Sequence, residues 1–113
     1  MEREYVLEIA NTIKDQIKCT VGVMVMFSWG IERMRATIKD DMAALRFHVN
    51  GMLFKGDVTV AYNEGGDYYM VYLGDELVGR EVYCDEIGTF IDRKIESGDN
   101  KEEYKQKIQK MYE

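Results

Sequence analysis

Residues 21–73 read as five consecutive β-strands, and this run limits the fold more than any other feature of the chain. Helical periodicity precedes it and follows it. Strands that succeed one another across short turns form an antiparallel meander, and helices lying outside such a run pack on it as a second layer. The order therefore predicts an α+β fold: an N-terminal helix, a five-stranded antiparallel meander, a C-terminal helix and a short terminal helix. A chain of 113 residues has room for one core, so residues 1–113 are read as a single domain.

The first helix is expected over residues 3–18, where Val6, Ile9, Ala10, Ile13 and Ile17 recur at helical spacing. Residues 21–29 read as the first strand, apolar on both faces and therefore covered on both. The second strand, 32–39, alternates, with Met34, Ala36 and Ile38 on one side and Arg33, Arg35, Thr37 and Lys39 on the other. Asp40 and Asp41 make the turn. Residues 43–49 follow with Leu45, Phe47 and Val49 inward and Arg46 and His48 outward. Asn50-Gly51 suits a two-residue turn with positive φ at both positions, which sets Phe47 opposite Phe54. From Met52 to Tyr62 the even positions stay mostly apolar, so they should share the core face.

Residues 68–73 form the fifth strand, and Leu77-Val78 a short return strand. Asp85 is the expected N-cap of a helix over 86–97, and Asn100 with Glu103 suggests a capping box for a last helix over 101–112. The core expected from these faces is Val6, Ile9, Ile13, Ile17, Val23, Val25, Ile38, Leu45, Phe47, Val58, Val60, Phe90, Ile91 and Ile95.

The longest uncharged run, residues 19–31, is too short to cross a bilayer, and the acidic N-terminus is unlike a signal or transit peptide. A soluble cytoplasmic protein is expected. Net charge is -6, with the acidity concentrated in residues 61–113 and a slight basic excess in 21–60. Such a balance makes nucleic acid an unlikely partner while leaving room for a local basic patch.

Chemistry-bearing motifs are sparse. His48 is the single histidine, and no CxxC or HExxH spacing accompanies it, so no catalytic residue, metal site or cofactor is assigned. Cys19 and Cys84 read as buried or half-buried thiols. Glu64-Gly65-Gly66-Asp67 lacks the strand–loop–helix order of a phosphate cradle, and Asp40, Asp41 and Asp57 do not form a calcium loop. The one suggestive constellation is Arg33, Arg35, Lys39, Arg46, His48 and Lys55, which strand alternation gathers on the sheet face away from the helices, with Asp57 as a partial answer to their charge.

Phe27-Ser28-Trp29-Gly30, the stretch from Ala44 to Gly51 and Lys55-Gly56-Asp57-Val58 resemble small uncharacterised proteins of gut bacteria and their mobile elements. The resemblance covers most of the chain, rests on packing and turn residues, and implies no activity.

Two functional classes are thus expected. The first is a non-enzymatic interaction module that uses the basic sheet face, or that forms a homodimer through apolar edge strands. The second is a small-ligand binder or enzyme with a pocket between sheet and helices, lined by Trp29, Tyr62, Tyr69 and Tyr72.

Overall fold

The computed structural model describes residues 1–97. Helix α1 (Arg3–Val21) buries Val6, Ala10, Ile13 and Ile17, one stripe of its surface. It ends at Gly22, whose φ of 84° leaves the helical region, and a short helix α2 (Val23–Ser28) follows at once. Strands β1 (Glu32–Lys39), β2 (Met42–Asn50), β3 (Lys55–Asn63), β4 (Tyr68–Leu73) and β5 (Glu76–Val82) form one antiparallel sheet in chain order. Helix α3 (Ile87–Asp92) continues into a π-helical turn, Arg93–Ser97. The α+β class and the antiparallel sheet stand as expected, and the expected terminal helix over 101–112 lies outside the described residues.

The membership of the sheet is shifted by one element. In the segment 21–29, expected as a strand, Val21 ends α1 and residues 23–28 form α2, with Gly22 as the break between them. A wholly apolar segment carries no periodicity to separate strand from helix. The choice is made by packing: Met26 and Trp29 are buried one helical turn apart, while Val23, Met24 and Phe27 stay exposed. Val23 therefore leaves the expected core. The fifth strand is instead β5, the return strand after Gly74, which extends well beyond Leu77-Val78.

Among the described residues, the sheet has a helix-covered face and an open face. Phe47, Val49, Val58, Val60, Val71 and Val82 form the covered face together with Ile13, Ile17, Ile87, Ile91 and Ile95. Trp29 lies fully buried, stacked on Phe47 with ring centroids 6.5 Å apart and planes 9° from parallel. Ile38, assigned to the core from its parity, is 50% exposed because β1 is an edge strand that α1 covers incompletely. On the open face a smaller cluster forms from Ala44, Ala61 and Tyr72, with Met42, Met70 and Leu77 packed around them.

The hairpins exchange turn geometry relative to expectation. Asp40 and Asp41, at φ 48° and 65°, make the two-residue turn with positive φ at both positions, and Lys39 pairs with Met42 across it. Between β2 and β3 the pairing closes at Asn50–Lys55, so Phe47 faces Val58 rather than Phe54. Residues 51–54 are drawn out of the hairpin to meet the π-helical turn. Leu53 N–H donates to the Ile95 carbonyl at 2.8 Å, and a Cβ on Gly51 would collide with that same carbonyl. The shift is an even number of residues, so the side chains that remain in β2 and β3 keep their expected face, while Met52, expected inward, is exposed in the loop.

At the other end, Asp85 does not cap α3. Glu86 occupies that position without a side-chain cap bond, and its Oε1 accepts the Tyr83 N–H at 3.1 Å.

Candidate docking surface

The basic constellation occupies the open face of β1–β3. Antiparallel partners project to the same side of a sheet, so the pairings Arg35–Arg46, Lys39–Met42, His48–Asp57 and Asn50–Lys55 place Arg35, Lys39, Arg46, His48 and Lys55 on one surface. Arg33 departs from the row. The register between β1 and β2 slips after Glu32, which pairs with His48, so Arg33 and Met34 together oppose Phe47. Arg33 takes the left-handed conformation at φ 53° and lines a cleft with Met26, Phe27, Ile31 and Met34. The physical reason is a β-bulge: one extra residue reverses the alternation, and the carboxylate of Glu32 takes the place expected for a guanidinium.

At the centre of the surface Asp57 holds Arg46 and His48. Arg46 donates to Asp57 Oδ2 through Nη2 at 2.8 Å and Nε at 3.2 Å, and His48 Nδ1 lies 3.2 Å from Asp57 Oδ1. Hydrogen bonding from Arg46, with His48 adding to it, holds the Asp57 carboxyl below its ordinary value. These are the ion pairs among the described residues, and Arg35, which faces Arg46 directly across the strands, takes part in neither. Like charges directly opposite one another on a sheet repel. At the β1–β2 turn Lys39 Nζ lies 5.0 Å from the centre of the Tyr72 ring, whose hydroxyl donates to Asp40 Oδ2 at 3.0 Å.

The aromatic pocket expected between sheet and helices is not assembled. Trp29 is fully buried and donates Nε1–H to Asp92, Tyr72 belongs to the open face, and only Tyr62 and Tyr69 meet, with centroids 5.3 Å apart. Tyr69 and Tyr72 stand three residues apart on β4, so alternation turns them to opposite faces of the sheet and they cannot line one pocket. The cysteines also differ from expectation. Both are exposed free thiols, and they line one cleft between α1 and the segment leading to α3.

Sequence reading missed the concave ground beside β1. A cleft of about 360 Å³ lies between α1 and the edge strand, with Leu7, Ala10, Met34, Ala36 and Leu45 as its apolar lining and Asn11, Lys14 and Arg35 as its polar one. A second, of about 290 Å³, adjoins it at Lys14 and Met34. The signal for it was weak: Leu7 lies outside the buried stripe of α1, and Ile38 sits on a strand that alternation alone does not mark as an edge.

The described residues thus form a two-layer α+β arrangement whose sheet is helix-covered on one side and open, with Arg35, Lys39, Arg46 and Lys55, on the other. Compared with protein-family models, curated proteins and solved structures, the chain matches none. No helix among the described residues is long and apolar enough to cross a membrane.

Proposed function

We propose that this protein is a non-enzymatic interaction module whose open sheet face docks an acidic protein partner. The observation that carries the reading is the cross-strand pair Arg35–Arg46. A fold that sets two guanidinium groups opposite each other accepts a repulsion that an incoming carboxylate would relieve. The nearby acceptor, Asp57, is shared between Arg46 and His48, so that among the described residues no carboxylate pairs with Arg35. Lys39 and Lys55 widen the positive row along β1 and β3. Exposed free thiols at Cys19 and Cys84 suit a reducing compartment, so the reading takes the cytoplasm as the place of action.

The test is titration of a fluorescent polyglutamate peptide against the protein, with polylysine of the same length as control. The acidic probe should bind, weaken with added salt, and lose its affinity in the Arg35→Glu/Arg46→Glu variant while that variant keeps its wild-type circular dichroism. Equal binding of both probes, or full binding by the double variant, removes the proposal.

A further inference from the structure

We infer that the partner enters as an extended strand, pairing with the free edge of β1 and alternating apolar with acidic residues. This rests on the functional reading above and adds the mode of recognition. β1 stands at the end of the sheet order, so among the described residues one side of its backbone faces no neighbouring strand. An edge strand of this kind is a template for an additional one.

What surrounds the edge gives the added strand its sequence. A strand laid against β1 lies about 4.8 Å away and turns alternate side chains to the two sheet faces. Those turned to the helix side meet the joined clefts beside Lys14 and Met34. Leu7, Met26, Phe27, Ile31, Met34 and Ala36 give this ground its apolar part, which can take an apolar side chain, while Lys14 and Arg35 add positive charge at its rim. Side chains turned to the open face fall beside Arg35 and Lys39, where carboxylates are wanted. The bulge at Arg33 ends the regular ladder, which limits pairing to the stretch from Arg35 to Lys39.

Charge decides between an acidic strand and a second copy of this chain. Two copies joined edge to edge by a two-fold axis would bring the Arg35–Lys39 row of one β1 against the same row of the other. That arrangement multiplies the repulsion which an acidic strand relieves. Charged residues and a bulge are also the ordinary means by which a protein keeps its edges from pairing indiscriminately. Here those same features act as the filter that admits an acidic strand.

The experiment uses the wild-type protein and a short fluorescent peptide alternating isoleucine with glutamate. Its partner probe is the same peptide N-methylated at alternate residues, on the backbone edge that would face β1. The parent peptide should bind, the methylated one at least about tenfold more weakly, and hydrogen exchange should slow at β1 amides between Arg35 and Lys39. Equal binding of the two peptides, with protection confined to β2 and β3, overturns strand addition and leaves acidic docking standing. Failure of both this peptide and polyglutamate overturns the functional reading itself. A sedimentation dimer that protects β1 without any peptide assigns the edge to a second copy and overturns the inference.

Discussion

Trp29 donates its indole N–H to Asp92 Oδ1 at 2.9 Å, a contact between residues 63 apart that ties the α2–β1 corner to helix α3. The same ring is stacked on Phe47, and the Trp29 carbonyl accepts the Asn50 N–H at 2.8 Å. One side chain and its peptide thus join three parts of the fold. Trp29→Phe keeps most of the apolar contact but leaves the Asp92 carboxylate without its donor, a loss of about 1–3 kcal/mol. Trp29→Ala should cost about 3–5 kcal/mol. Urea denaturation followed by circular dichroism measures both, and an alanine variant as stable as wild type would contradict the buried stacking.

The pairing of Phe47 with Val58 has an energetic signature. Phe47→Ala should destabilise by about 3–5 kcal/mol, and a cycle with Val58→Ala should show a coupling of about 0.5–3 kcal/mol. The two-residue Asn50-Gly51 turn would instead couple Phe47 to Phe54. Finding the larger coupling with Phe54 would restore that register.

Asp57 makes the fold sensitive to acid. Its folded-state pKa lies below the ordinary 3.8, chiefly because Arg46 hydrogen-bonds the carboxylate. A depressed carboxyl pKa contributes stability above the unfolded value, and that contribution disappears as pH falls through the folded value. Asp57→Asn should therefore be less stable than wild type near about pH 7, and the two should converge in strong acid. Parallel denaturation curves with a gap that does not change with pH would rule out the linkage.

Glu96 acts in the opposite sense. Burial is the main cause that pushes its carboxyl above the ordinary 4.5, Asp92 adds repulsion, and the Met52 backbone N–H partly offsets them. A raised carboxyl pKa means that the folded state holds the proton more tightly. Stability is thus favoured at low pH and declines as pH rises from the unfolded value through the folded one. Glu96→Gln should raise the melting temperature near about pH 7 and make little difference below about pH 4. A variant that melts lower than wild type at neutral pH would show that the carboxylate is needed in its ionised form.

The faces of the strands were legible because strand side chains have a period of two. Leu45, Phe47, Val49, Val58 and Val60 carried that pattern and are buried on one face. The stripe on α1 was legible for the same reason at helical spacing. The basic row keeps its shared face as well, except at Arg33, where the register slips by one residue and the backbone turns left-handed, which residue type alone does not mark. Asn50-Gly51 carried a strong local turn signal that a contact with Ile95 overrode.

Local patterning by itself set which residues are greasy, which alternate and which turn, because those preferences act over a few neighbouring residues. The tertiary structure alone decided that residues 23–28 form a helix, that β1 is an edge of the sheet among the described residues, and that Arg35 faces Arg46 while Arg33 turns away. Each of these depends on contacts between segments distant in the chain, where burying Trp29 and docking the 51–53 loop on Ile95 outweigh the small differences in local propensity.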